Sequence, residues 1–210
     1  MKLKIVSLVF VLFLLFVINL PAQINFQANS YIESAIDTGE DDRYFEDWTD
    51  VSLNYKNWRA GIRYEFHRPP FPFNQDKSSW NDLTQRFIEY RTGNMMFTAG
   101  NFYTLLGRGL VLRSYENRIL RWDNNIDGGK FEFFHNFLDL KLLAGRMRDQ
   151  LTEKHKTLYG GSLDLKPVSL FHLGGTFVQT KVANQGDVRW GSFFAGLSFD
   201  WADFYFEHAI

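Results

Sequence analysis

NWRAGIRYEFH, at residues 57–67, is the stretch that decides the fold, because apolar and polar side chains alternate along nearly all of it. One face of this stretch carries Trp58, Ala60, Ile62, Tyr64 and Phe66. The other face carries Asn57, Arg59, Gly61, Arg63, Glu65 and His67. Successive side chains of a β-strand point to opposite sides of its sheet. The pattern therefore predicts a strand with one apolar face and one polar face.

The same period of two recurs at residues 25–37, 138–146 and 191–201. Aromatic residues, which favour strands, make up 18% of the chain, and no helical period competes with the alternation. An all-β fold is therefore expected. The predicted strands are 25–36, 48–55, 58–67, 83–91, 95–102, 127–135, 138–146, 157–165, 169–178, 191–199 and 203–210.

The connections between these predicted strands alternate between short and long. The link Lys56-Asn57 has two residues and places Tyr55 opposite Trp58 on one face. The other short links are residues 92–94, 136–137, 166–168 and 200–202. The long polar links are residues 38–47, 68–82, 103–126, 147–156 and 179–190. Antiparallel up-and-down barrels of the bacterial outer membrane have short periplasmic turns and longer external loops, so this architecture is predicted.

In such a transmembrane β-barrel the apolar face meets lipid and the polar face lines a watery interior. The predicted interior charges on the strands are Arg59, Arg63, Glu65, Glu89 and Arg91. A small soluble barrel could bury these charges only by pairing each of them. A soluble β-sandwich or barrel remains the alternative, with the two faces exchanged and the aromatic side chains in a core.

Eleven strands are an odd number, whereas bacterial single-chain outer-membrane barrels have even counts. An unpaired strand edge is also unfavourable in lipid. On this count, the eleventh strand would run outward and end at Ile210 without a partner. We therefore expect residues 23–210 to be the N-terminal part of an incomplete barrel, a fragment of a longer protein.

The N-terminus resembles a secretory signal peptide at residues 1–22. Lys2 and Lys4 form a basic start, and residues 5–18 are apolar apart from Ser7. This run is shorter than the roughly 18 residues of a membrane-spanning helix, although a retained anchor helix is an alternative. Leu20-Pro21-Ala22 supplies a cleavage site. We expect export to the cell outer membrane, with the barrel-assembly machinery and outer-membrane lipid as partners.

Composition excludes several kinds of function. Without cysteine the chain has no thiol nucleophile, thiolate metal site or disulfide. Removing Lys2 and Lys4 changes the net charge from −1 to −3, so a nucleic-acid partner is not expected. The acidic stretch 38–50 lacks the ligand spacing of a calcium loop, and no Gly-x-Ser-x-Gly nucleophile elbow occurs. We therefore expect no enzyme activity, no metal and no cofactor.

Residues 103–126 form the link with the most distinctive sequence. Four arginines lie within fourteen residues, namely Arg108, Arg113, Arg118 and Arg121. The link is long and apolar in its middle, which favours folding back into the interior as a plug or constriction. Arginines in a constriction would favour small anionic solutes. Alternatively, they pair with interior carboxylates such as Glu65, Glu89 and Asp164 and only make the link rigid.

GRGLVLRSYENR at residues 107–118, with Asp123-Asn124 and Asp127-Gly128, resembles an uncharacterised outer-membrane β-barrel family of the Bacteroidota, a domain of unknown function. Residues 205–209 are similar to a segment from the middle of such proteins. The resemblance implies an outer-membrane barrel longer than this chain. It implies no activity.

Two classes of function are therefore open. The first is a pore or uptake channel, porin-like, in which the arginines of residues 103–126 face the interior. The second is a plugged structural or surface-binding barrel that acts through extracellular loops such as residues 68–82. The stiff sequence Pro69-Pro70-Phe71-Pro72-Phe73 within that loop suits an exposed position.

Overall fold

A computed structural model describes residues 24–37, 42–68, 79–120, 122–148, 155–182 and 186–210. The predicted signal peptide, the Pro69–Phe73 stretch and Arg121 lie outside these ranges. Within them the chain is all-β. No helix there is long and apolar enough to cross a membrane.

Eleven long strands make up the fold, and the predicted number is confirmed. In chain order the first five are β1 (Ile24–Asp37), β2 (Asp42–Tyr55), β3 (Trp58–Arg68), β4 (Trp80–Thr92) and β5 (Met95–Phe102). Four short strands follow: β6 (Leu105–Leu106), β7 (Leu112–Arg113), β8 (Glu116–Asn117) and β9 (Trp122–Asp123). The rest are β10 (Ile126–His135), β11 (Leu138–Arg148), β12 (His155–Val168), β13 (Phe171–Val182), β14 (Gly186–Phe199) and β15 (Ala202–Ala209).

The long strands form one antiparallel sheet in which each strand pairs with the next long strand along the chain. This is the predicted up-and-down order. The predicted register also holds, since Tyr55 pairs with Trp58 across the β2–β3 turn. The two edges of the sheet are β1 and β15, which do not pair with each other, so the sheet is not closed.

The connections keep the predicted alternation in length. Two residues separate β2 from β3, β4 from β5, β10 from β11, β12 from β13, and β14 from β15. Lys56 and Gly93 adopt positive φ angles of 51° and 50° in two of these turns, as tight hairpins require. The links predicted at 38–47 and 179–190 are too long. The first is shorter because β2 already begins at Asp42, and the second because β13 ends at Val182 and β14 begins at Gly186. Polar residues near the strand ends continue the backbone ladder there, since polarity alone does not end a strand.

The face that carries Trp58, Ile62 and Tyr64 is called the outer face, and its apolar side chains are exposed. Register extends this face across the sheet, because Ile62 pairs with Val51 and Leu53 pairs with Phe26. Other exposed members are Ile88, Phe97, Leu142, Tyr159, Leu163, Phe177, Phe193, Leu197, Phe204 and Phe206. This is the opposite of a soluble sandwich or barrel, in which the apolar faces pack together in the core.

The opposite face, called the inner face, is polar and largely buried. Glu46 is 0% exposed, Arg63 is 7% exposed and Glu132 is 5% exposed. The register places the predicted interior residues on this face. Arg59 pairs with Glu89, and Arg91 pairs with Met96, which in turn pairs with the inner-face residue Glu132. Because these polar side chains are buried, another part of the chain must cover the inner face.

Close packing on the inner face explains a row of glycines. Gly100, Gly128 and Gly145 pair with one another across β5, β10 and β11. A Cβ atom at Gly128 would overlap the carbonyl oxygen of Ala144, and Gly100 has a φ of +97°. Only glycine is compatible with this close approach of neighbouring backbones.

Candidate functional site

The candidate site is the segment 103–125, which connects β5 to β10 and lies against the inner face. It forms two small hairpins, β6–β7 and β8–β9. The first hairpin contacts β11, where Lys141 Nζ donates to the Leu105 carbonyl at 3.4 Å. The second contacts β3, where Arg63 Nη1 donates to Glu116 Oε1 at 2.6 Å. The segment therefore covers much of the polar surface.

An apolar cluster attaches the first hairpin to the sheet. Leu106 is 0% exposed and Leu112 is 6% exposed. Both pack against inner-face side chains of five strands, which are Phe102, Ile126, Leu143, Leu158 and Val178. This is the one buried apolar cluster among the described residues. Removing this apolar surface from water favours docking of the hairpin on the inner face.

A hydrogen-bond network attaches the base of the segment to β4 and β5. Tyr103 donates its hydroxyl to Asp123 Oδ1 at 2.9 Å and accepts from Gln85 Nε2 at 2.7 Å. The Asn125 backbone N–H donates to the same Asp123 oxygen, and Asn101 Nδ2 donates to Asn125 Oδ1 at 2.8 Å. Burial, followed by the nearby Asp123 carboxylate, raises the pKa of Tyr103 above its usual range. The phenol is therefore a permanent hydrogen-bond donor at neutral pH.

A cluster of charges attaches the second hairpin to β2 and β3. Arg63 binds Asp50 through two nitrogens, with Nε–Oδ1 at 2.7 Å and Nη2–Oδ2 at 3.3 Å. Its third nitrogen, Nη1, donates to Glu116 and lies 4.0 Å from Glu65 Oε1. Arg118 lies next to both carboxylates, with Nε 3.3 Å from Glu116 Oε1 and Nη2 3.5 Å from Asp50 Oδ2. Glu116 therefore lies between two guanidinium groups.

The far end of the first hairpin contacts β15. The Arg108 backbone N–H donates to Glu207 Oε2 at 2.9 Å, and the Arg108 guanidinium lies 4.7 Å from the centre of the Tyr205 ring. Glu207 also accepts from Ser192 Oγ at 2.7 Å and from the Tyr205 hydroxyl at 3.1 Å. The segment thus contacts strands close to both edges of the sheet, since it also reaches Asp50 on β2. The sheet is therefore strongly curved around it.

The structure separates the predicted site residues into three groups. Arg63 and Arg118 meet in the charge cluster, and Arg59 pairs with Glu89 at 3.2 Å outside it. Arg108 lies over Tyr205 and Arg113 lies 4.9 Å from the Tyr115 ring centre. Among the described residues neither of these two arginines forms an ion pair. Arg91 lies on the inner face, and Arg121 falls outside the described ranges.

The expected partners of the segment's arginines differ from those observed. Glu65 accepts from Thr84 Oγ1 at 2.8 Å and lies 3.2 Å from His67 Nε2, and Asp164 lies 3.2 Å from His172 Nδ1. Arg118 instead pairs with Asp50 and with Glu116 of its own hairpin. Asp50 is the last residue of the acidic stretch 38–50, and Glu116 lies inside the arginine-rich link. In the sequence, Asp50 and Glu116 stand out only by their charge. The structure shows that both carboxylates contact Arg63.

A second polar cluster on the inner face surrounds His67. Its Nδ1 lies 3.0 Å from Glu46 Oε1, and Trp48 and Trp80 contact the imidazole ring with centroids 5.2 Å and 5.1 Å away. These side chains fill the space between β2, β3 and β4. In the part of the chain that the structure describes, no group of three or more histidine or acidic side chains is arranged to hold a metal ion.

Comparison with known proteins identifies a family, and that family has no assigned activity. A family model described as "Family of unknown function (DUF6029)" matches residues 1–187. No curated protein matches the chain. The resemblance to a family of unknown function is thereby confirmed, whereas the outer-membrane and Bacteroidota parts of that resemblance stay predictions.

Proposed function

The chain belongs to the DUF6029 family of unknown function, and we propose that it forms the wall of an outer-membrane β-barrel whose interior is narrowed by residues 103–125. The observation that carries this proposal is the reversal of the two faces. Exposed apolar side chains cover the outer face, while charged side chains are buried on the inner face under the segment.

The reversal supports lipid as the solvent of the outer face. Phe26, Ile32, Phe97, Phe177 and Phe193 are each about half exposed or more on a continuous sheet surface. In water, an apolar patch of this extent is rare on a soluble protein. In a bilayer the same surface is favourable, and the sheet supplies backbone hydrogen bonds for its interior strands.

The connection lengths support an orientation. Two-residue turns lie at one end of the sheet, and the longer links lie at the other. In outer-membrane barrels the short turns face the periplasm. Residues 103–125 then enter the interior from the extracellular side.

Localisation can be tested with the full chain in a Gram-negative host. We expect the protein in the outer-membrane fraction, resistant to extraction with alkaline carbonate, with a mature N-terminus at Gln23. Recovery as a soluble periplasmic protein, or retention of residues 1–22 in the inner membrane, would refute the proposal.

We propose a narrow pathway for small anionic solutes as the activity of this barrel. The guanidinium groups of Arg108 and Arg113 support this proposal, because they lie over tyrosine rings and have no carboxylate partner among the described residues. Unpaired guanidinium groups create a positive potential that attracts anions. Arg118 contributes less, since Glu116 and Asp50 neutralise it.

Planar-bilayer recordings test the channel. We expect anion preference in the closed barrel that contains this sheet, and a shift toward cations when Arg108 and Arg113 are both replaced by Ala. Arg86→Ala is the matched control, because Arg86 lies on the outer face, where it pairs with Ile62 in the register. Unchanged selectivity in the double variant would refute the anion pathway.

A plugged barrel with a structural or surface-binding role is the second candidate. The apolar cluster around Leu106 and Ile126, both 0% exposed, favours this role because it fixes the first hairpin in the interior. A chain that inserts into bilayers yet never conducts would support this candidate. Function would then reside in the extracellular links.

A further inference from the structure

We propose that Arg63 and Arg118 form a binding site for the carboxylate group of a small solute, and that Glu116 occupies this site in the resting protein. The proposal rests on the interior pathway for anionic solutes described above. It names the chemical class of the ligand and the residues that receive it.

The site is built around a fixed guanidinium group. The Arg63 side chain is 9% exposed, and Asp50 binds two of its nitrogens. These contacts orient the remaining nitrogen, Nη1, toward the segment. A planar guanidinium held in this way presents a directed donor to a carboxylate oxygen. Arg63 is therefore already organised to receive an anion.

The group that Arg63 receives is itself a carboxylate from another part of the chain. Glu116 Oε1 accepts from Arg63 Nη1 at 2.6 Å and from Arg118 Nε at 3.3 Å. A solute carboxylate in the same place would make the same two contacts. The charge balance would not change, because one carboxylate replaces another between Arg63 and Arg118.

Glu116 is able to leave through rotation of its side chain, which is 21% exposed and lies next to a weakly held hairpin tip. Ile119 is 95% exposed and Leu120 is 68% exposed, so neither packs on the sheet. The β8–β9 ladder has only two residues in each strand. Glu116 pairs with Asp123 in this ladder, and Asp123 is fixed by Tyr103. The Glu116 backbone and Arg118, which pairs with Asp50, therefore stay in place when the Glu116 side chain leaves. Exchange of one carboxylate for another therefore leaves the base and the first hairpin in place.

The exchange can be measured by fluorescence in detergent micelles. The full chain has no cysteine, so Ile119→Cys provides a single labelling point for an environment-sensitive dye at the hairpin tip. Succinate is added at constant ionic strength, with chloride as the balancing ion. We expect a saturable signal with succinate and none with chloride alone.

A variant of Glu116 tests the site directly. Glu116→Gln removes the competing charge but keeps the shape of the side chain, so the half-saturating succinate concentration should fall about threefold or more. Asp139→Asn is the matched control, since the Asp139 carboxylate pairs with Lys166 in β12 and has no contact with the hairpin. The control should leave the succinate affinity unchanged.

Two results would overturn the proposal. One is an equal signal with chloride and succinate, which would mean that ions only screen the charge cluster. The other is an unchanged succinate concentration in Glu116→Gln. Neither result depends on conduction. A silent bilayer with a positive titration would remove the channel and leave the site, whereas the reverse would remove the site and leave the channel.

Discussion

Leu106→Ala tests the attachment of the segment most sharply. Leu106 is 0% exposed and packs with Phe102, Ile126, Leu143 and Leu158. Truncating a buried leucine to alanine costs about 2–5 kcal/mol, through lost transfer energy and the cavity that remains. The short hairpin can relax, so we take the lower limit. About 2 kcal/mol corresponds to a roughly 30-fold larger population of the undocked segment.

Limited trypsin digestion measures this population. Arg108 and Arg113 lie within the first hairpin, and cleavage after them yields fragments that begin at Gly109 and Ser114. When opening is fast compared with cleavage, the cleavage rate follows the open population. We therefore expect both fragments to form about 30-fold faster in Leu106→Ala.

Leu110→Ala is the control in the same hairpin. Leu110 is 62% exposed, so its truncation should change the free energy of docking by less than about 0.5 kcal/mol. Equal cleavage rates in Leu106→Ala and in the unmodified chain would refute apolar docking. The segment would then be held by its polar contacts alone.

Three further predictions concern the outer face of the sheet, the closely packed glycine row and the hydrogen-bond network at the base of segment 103–125. Leu142→Arg on the outer face should lower the free energy of unfolding from lipid vesicles by about 2–4 kcal/mol in a denaturant titration, whereas Leu142→Phe should not; equal effects would contradict a lipid-facing position. Gly128→Ala should destabilise the sheet by about 1–3 kcal/mol in the same titration, and Gly129→Ala, whose Cβ would meet no atom closer than 4.0 Å, should be tolerated; the reverse order would contradict the register. The raised pKa of Tyr103 means that the folded chain holds this proton more tightly than the unfolded chain, so its contribution to stability is complete below the unfolded-state pKa of about 10 and is lost as the pH rises above it. An ultraviolet absorbance titration should show one fewer late-titrating tyrosine in Tyr103→Phe than in the unmodified chain, and identical titrations would exclude this role.

The strands were predictable because each pairs with its neighbour along the chain. Alternation located the faces, and two-residue links such as Lys56-Asn57 set the register without long-range information. Strand ends were harder to predict. Residues 42–47 include four charged side chains yet continue β2, since backbone pairing with β1 does not require apolar side chains.

The site was less predictable because its contacts join residues that are distant in sequence. Arg63 and Glu116 are separated by 53 positions, and Arg108 and Glu207 by 99. The apolar docking of Leu106 depends on inner-face residues of β11, β12 and β13 that interrupt an otherwise polar pattern. These residues are Leu143, Leu158 and Val178. In the sequence each breaks the alternation of apolar and polar side chains, and in the structure each packs against the first hairpin.

On the proposed function, the outer face meets lipid and the inner face meets water. Spin labels at single cysteines along β14 test it most directly, because the chain has no cysteine of its own. In vesicles we expect Phe193, Ala195 and Leu197 positions to be accessible to oxygen, and Ser192 and Ser198 positions to the water-soluble relaxation agent NiEDDA. We expect a strict alternation with a period of two, whereas equal accessibility of both sets to the water-soluble agent would contradict a lipid-facing outer face.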